Sequence, residues 1–335
     1  MLYVTDIHFY VVKNFGMRLK DYQKIWGMYL CNTDQGAKIL KPVYMKEGQI
    51  WFQHSTKEYL YKQGFQQCSR FYVSDQKTPY YVHDGQIYIM EDWREGEELD
   101  YTDFQSVQEV TKLLGSFHYH SKGMSPLKGS DPISYLSNFP YQMEKRIIEL
   151  NHFRKRIYKH RRLSDFDLLF IRYYPYYYEL AIESLTLLES TSCRALIQKL
   201  KQDQYVCHGK FIHHNLIKTE VDWWIQDFSY CSYHIPIYEF TSFVNKTMQK
   251  SEWDTEKALT MFEIYKPYIG YNDDLELLFL SLLLFPERFW KLCNQYYNQR
   301  RTHPAKKQVE KMQELVEKQE DHKEFLKSIK QILLE

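Results

Sequence analysis

Three positions in the segment 206–230 are spaced as a phosphoryl-transfer centre needs them. The stretch VCHGKFIHHNLI, residues 206–217, opens on His208-Gly209 and places Asn215 five residues after position 210. WWIQDFSY, residues 223–230, carries Asp227 twelve residues beyond Asn215, at the end of an apolar run. In kinase chemistry a catalytic-loop aspartate accepts or orients the substrate hydroxyl. An asparagine five residues on holds a metal ion, and an aspartate beyond a short hairpin holds Mg²⁺. Asn215 and Asp227 occupy the two metal-holding positions, but the base position is Lys210. An ammonium with a reference pKa of about 10.4 has no lone pair to accept a proton, and it sets positive charge beside the expected metal. Loss of a general base typically removes on the order of 10²–10⁴ in rate. Lys210 is expected to pair with Asp227, an ammonium standing where a metal would. The plainer readings stay open: Asp227 capping a turn, Asn215 bracing the loop, and His208 as a structural hydrogen-bonding residue.

The elements that must position these groups follow from the residue pattern. Residues 22–32 and 37–44 read as strands joined by Thr33-Asp34-Gln35-Gly36, a hairpin loop in length and composition. A helix is expected over 55–63, capped by Ser55 or Thr56 and ended by Gly64 in the left-handed conformation. Strands near 70–74 and 80–82 precede Asp84-Gly85, which supplies the positive φ angles of a tight turn, and 86–92 returns. Beyond residue 100 the period becomes helical. Phe104, Val107, Val110, Leu114 and Phe117 follow a possible cap at Asp103, and Met143, Ile147, Leu150, Phe153 and Ile157 mark a second helix. Its basic continuation, Arg154 to Arg162, reads as a solvated face. Pro175 is expected to divide two helices within 165–188. Short buried strands are expected at 205–207 and 221–226, flanking the loop. After Arg301 a charge-rich amphipathic helix is expected to dock on the body. The implied division is 1–93, a β-rich lobe; 94–300, a helical lobe containing 206–230; and 301–335, the C-terminal helix.

These motifs resemble the CotS-type spore coat proteins, relatives of aminoglycoside and choline phosphotransferases, and among them the YutH group most. The resemblance spans nearly the whole chain. It implies an α+β, protein-kinase-like (aminoglycoside phosphotransferase-like) two-lobed fold. Gly36-Ala37-Lys38-Ile39-Leu40-Lys41 resembles the family's G-x-Y-A-L-K strand, making Lys41 the lysine for nucleotide phosphates, and Glu58 matches the helix glutamate that would pair with it. GQIYIMEDWREG, residues 85–96, resembles the last strand and hinge, where backbone groups near Glu91, Asp92 and Trp93 would meet an adenine. Pro236 and Glu239 resemble a later P-x-x-D stretch, with Glu for Asp. ATP and Mg²⁺ are the cofactors implied if the site is used, with Asn215 and Asp227 as metal ligands. The departure at Lys210 from the family's H-G-D pattern points to a pseudokinase in coat assembly; an active phosphotransferase and an ATP-binding sensor are the alternatives. A glycine-rich phosphate loop is missing, Gly27 being the only glycine near the first hairpin. The implied partners are other spore coat proteins, and the implied location is the mother-cell cytoplasm and then the spore coat.

Composition bounds the rest. With 44 basic against 43 acidic residues, the formal charge of +1 gives no global pull toward nucleic acid or a membrane surface. No apolar run approaches the roughly 20 residues needed to span a bilayer, and the opening MLYVTDIHFYVVKNFG lacks the pattern of a signal peptide. The six cysteines lie far apart and are expected to be buried thiols. His213 and His214 are adjacent, and a loop pair without function is the expectation. The 30 tyrosines are expected to fill cores with their hydroxyls partnered.

Overall fold

The computed structural model describes residues 7–270, 273–298 and 305–334. The first six residues, where part of the signal-peptide expectation falls, and 301–304, where the charged C-terminal segment was expected to start, lie outside them. The chain packs as two compact units, one formed by residues up to Ser134 with Gln204–His234, the other by Tyr135–Asp203 with Ile235 onward. The loop segment 206–230 therefore packs with the N-terminal strands rather than with the later helices.

The first unit is built on a five-stranded antiparallel sheet in the order β1-β2-β3-β5-β4. Its strands are β1 (Leu19–Ile25), β2 (Met28–Thr33), β3 (Gly36–Val43), β4 (Tyr81–His83) and β5 (Gln86–Asp92). The single strand expected over 22–32 is two strands. Trp26 and Gly27, at φ 44° and 82°, form a two-residue hairpin turn that a Trp in the left-handed region conceals. Asp84 and Gly85 turn as expected, at φ 48° and 77°. Alternation along β3 sends Leu40, with Cys31, Tyr88 and Met90, against Val11, Val12 and Phe15 around helix α1 (Ile7–Asn14). Ile39 and Lys41 point to the opposite face, toward α2 (Glu47–Gln63).

Helix α2 starts eight residues before the expected cap. Ser55 and Thr56 are buried inside it and donate to the carbonyls of Trp51 (2.7 Å) and Phe52 (3.0 Å), so their hydroxyls turn back on the helix instead of starting it. Gly64 ends it at φ 101°, as expected. Residues 70–74 run beside β5 with one bridge, Phe71 to Glu91, and form no strand of their own. Asp103 caps α3 (Phe104–Ser121) by accepting from Gln105 N. A small sheet, β6 (Glu97–Glu98), β8 (Leu216–Lys218) and β9 (Trp223–Ile225), and the pair β7 (Val206–Cys207) with β10 (Ser232–Tyr233), complete the unit.

The second unit is helical among the described residues, comprising α4 (Tyr141–Ile157), α5 (Asp165–Leu188), α6 (Thr191–Asp203), α7 (Pro236–Met248), α8 (Thr255–Ile269), α9 (Asp273–Leu284), α10 (Glu287–Tyr297), α11 (Ala305–Glu317) and α12 (Gln319–Leu334). Pro175 does not divide α5. An internal proline costs about 3 kcal/mol, and Phe166, Phe170, Tyr174 and Tyr177, buried on both sides of it, outweigh that cost. The C-terminal stripe lies on two helices rather than one, Met312 and Val316 on α11 and Phe325, Leu326 and Ile329 on α12. Arg154 lies over the rings of Tyr158 and Tyr174, and Arg156 over Phe153 and Tyr297, so part of the basic run packs on aromatic faces. All six cysteines are buried, and none forms a disulfide.

Candidate functional site

The antiparallel register of β3 and β5 sets Lys41 beside Ile89 and Ile39 beside Glu91, which places Lys41 and Glu91 on one face. Lys41 Nζ donates to Glu91 Oε1 at 2.6 Å. The other carboxylate oxygen accepts from Lys57 of α2. Lys57 is 1% exposed, and its ammonium lies 4.1 Å from the centre of the Phe71 ring and 5.1 Å from that of Phe228. Burial alone would raise the Glu91 carboxyl; the charges and hydrogen bonds of Lys41 and Lys57 override it and hold the group down at about 2.

The expected pairing of Lys41 with Glu58 is not made. Glu58 is one position round the helix from Lys57, about 100° away, and forms a fork with Arg70 at 2.7 and 2.5 Å. Sequence reasoning missed Lys57, although a signal existed. Ile50, Gln53, His54, Lys57 and Leu60 are all buried and recur at helical spacing, so the lysine sits on the stripe that packs inward.

At the hinge, the Asp92 carboxylate accepts from Lys38 Nζ and Tyr72 OH, both at 2.8 Å. Trp93 N–H donates to Ala37 O at 3.2 Å. An adenine at this hinge would have to displace that bond or use neighbouring backbone groups. The hinge side chains Asp92 and Trp93 instead line an open cavity of about 1210 Å³, walled also by Arg70, Arg94, Lys218 and Trp224. Neither Lys41, Lys210, Asn215 nor Asp227 lines it.

The loop is braced by its own polar groups. His208 is fully buried. Its Nε2 lies 2.8 Å from Gln226 O, which can only accept, so Nε2 carries the proton and Nδ1 accepts from Lys210 N–H at 3.3 Å. Asn215 Nδ2 donates to Lys210 O at 2.9 Å, which spends the amide nitrogen on the loop and leaves Oδ1 as the atom suited to a cation. Asp227 sits at φ 58°, a left-handed conformation uncommon for a non-glycine residue. Its Oδ1 accepts from Ser229 Oγ at 2.5 Å and Ser229 N at 3.4 Å. Phe228 beside it is 1% exposed, with ring centres 5.1 Å from His208 and 5.9 Å from Phe117. A continuous chain of contacts thus joins Lys41, Glu91, Lys57 and Phe228 to Asp227 and the loop.

Lys210 does not pair with Asp227. Its side chain is exposed and the ammonium lies 5.0 Å over the Tyr230 ring. Gly209 explains the approach of the two segments: at φ 79°, a Cβ there would stand 2.2 Å from Tyr230 O. Gly209→Ala is therefore expected to destabilise the protein by about 1–3 kcal/mol. An unfolding free energy within about 0.5 kcal/mol of wild type would show that the loop is not held against Tyr230.

The fold is that of the aminoglycoside-phosphotransferase-like kinases. An aminoglycoside phosphotransferase from Alicyclobacillus acidocaldarius subsp. acidocaldarius superimposes with a TM-score of 0.83 at 17% identity, covering 97% of this chain and 95% of that one. A spectinomycin phosphotransferase, solved with ADP and spectinomycin, gives 0.62 at 12% identity, covering 94% and 95%. Residues 9–329 match the family described as "Spore coat putative kinase YutH", and the chain belongs to that family. Spore coat protein S of Bacillus subtilis strain 168 is 22% identical over 316 residues, 93% of this chain and 88% of that protein.

Proposed function

We propose that this protein is a catalytically inactive kinase-fold component of the spore coat, made in the mother-cell cytoplasm and acting in coat assembly with other coat proteins. Family membership and the likeness to spore coat protein S support the coat assignment. No described helix is long and apolar enough to cross a membrane. The observation that carries the inactive reading is Lys210: the base position holds an ammonium resting on Tyr230, with no carboxylate in its place. If a nucleotide bound, Lys41 would hold its phosphates and Asn215 and Asp227 would hold its Mg²⁺, whose charge would order those phosphates.

A second reading, an ATP sensor, draws on the intact Lys41–Glu91 ion pair and the braced Asn215 and Asp227. Titrating the purified protein calorimetrically with ATP, with and without Mg²⁺, alongside a phosphate-release assay separates the readings. The expected result is no phosphate release. Heat of ATP binding without turnover would favour the sensor. Steady Mg²⁺-dependent release that Asp227→Ala abolishes would overturn the inactive assignment.

A further inference from the structure

A second cluster of ligand-type side chains lies on the same loop and takes no part in the kinase-like motif. His213 and His214 open the 3₁₀ turn that ends at Asn215. Glu98 arrives from β6, whose pairing of Glu98 with Ile217 on β8 carries the carboxylate to the turn. Glu98 Oε2 lies 2.7 Å from His214 Nδ1 and 4.0 Å from His213 Nε2. One ligand atom from each residue lies within 4.8 Å of the other two. We propose that Glu98, His213 and His214 form a binding site for a divalent ion of the zinc class.

Ligand chemistry and spacing both fit such an ion. Two imidazoles and one carboxylate suit Zn²⁺, Co²⁺ or Ni²⁺, whereas Mg²⁺ prefers oxygen ligands only. This ion would therefore be distinct from any Mg²⁺ that a nucleotide brings. Tetrahedral bonds of about 2.0–2.2 Å set ligand atoms about 3.3–3.6 Å apart. The separations of 2.7 and 4.0 Å bracket that value, and the side chains of Glu98 and His214 are exposed and able to adjust. The backbone beneath is fixed, since His213 N donates to Tyr101 OH at 3.2 Å and Asn215 N to Ile212 O at 2.8 Å. The same exposure leaves room for water to complete the coordination shell. A bound ion would replace the hydrogen bond between His214 and Glu98 and clamp the strand after the hinge to the turn that carries Asn215.

The plain alternative is a surface hydrogen bond that binds no metal. Titration of metal-free protein with Zn²⁺, and with Co²⁺ followed by its visible absorption, distinguishes them. One ion per chain is expected, with a tetrahedral-type Co²⁺ band and protons released on binding. His213→Ala, His214→Ala and Glu98→Gln should each weaken binding by at least about tenfold, while His83→Ala, at another histidine–carboxylate pair, should not. Unchanged metal-free unfolding curves would show that the variants still fold. Binding that survives all three site variants, or no binding at millimolar metal, would overturn the proposal.

Discussion

Replacing Glu91 with methionine is expected to cost about 3–5 kcal/mol of stability, while Lys57→Met costs much less. The two changes remove opposite ends of one buried ion pair, but what they leave behind differs. Without Glu91, the ammonium of Lys57, 1% exposed, keeps no carboxylate and only the faces of Phe71 and Phe228. Without Lys57, Glu91 still accepts from Lys41 at 2.6 Å, and the methionine fills an apolar space. The same carboxylate makes stability depend on acid. Its folded-state value of about 2 lies below its ordinary 4.5. Its contribution is therefore whole above pH 4.5 and is lost as pH falls from there toward 2. The full difference is about 3 kcal/mol, and Glu91→Met should lack this slope. Denaturant unfolding between pH 2 and 7 measures both effects. Equal midpoints for wild type and Glu91→Met, with the same acid slope, would show that the buried triad does not form.

Lys210→Asp is expected to strengthen Mg²⁺-dependent ATP binding and to bring into detection an ATP turnover absent from wild type, a general base being worth on the order of 10²–10⁴ in rate. The gain should come from the new carboxylate and not from removal of the ammonium, because Lys210 lies over Tyr230 and makes no ion pair with Asp227. Lys210→Ala should therefore leave Mg²⁺ affinity close to wild type, and adding Asp227→Ala to Lys210→Asp should abolish the gain. Equal gains from Lys210→Ala and Lys210→Asp would mean that the lysine excludes the metal by charge. Wild-type turnover untouched by Lys210→Ala would place catalysis on other groups altogether.

The loop was legible because its chemistry is tied to fixed chain intervals: five residues from position 210 to Asn215 and twelve more to Asp227. Turns were legible where glycine or aspartate marks a positive φ, as at Asp84-Gly85 and Gly64, and hidden where Trp26 adopts one. Ser55 and Thr56 misled for a related reason, since a hydroxyl that caps a helix can equally bond back to its own helix. Pro175 misled because packing on both sides of α5 overrides a local penalty. Lys41 pairs with Glu91 across the sheet rather than with Glu58, and chain spacing does not give that pairing. Which of two adjacent helix residues, Lys57 or Glu58, faces inward is settled by the phase of α2, and that required the helix to be extended back to Glu47.

The first unit is written in two stretches with the whole of 135–203 between them. A ribosome releasing the chain from its N-terminus exposes β6 long before its partner β8 exists. It also presents Lys57 before the Phe228 ring that covers it, and Ser121 before Val206, whose N–H and carbonyl its hydroxyl bonds at 3.1 Å. The growing chain therefore carries an open sheet edge and a half-covered charge while the next helices are being synthesised. The small sheet begun by β6 is completed only by β8 and β9, so the first unit finishes folding after residues 135–203 have been made. Over that interval the β6 edge and the Lys57 side chain await partners from beyond residue 203.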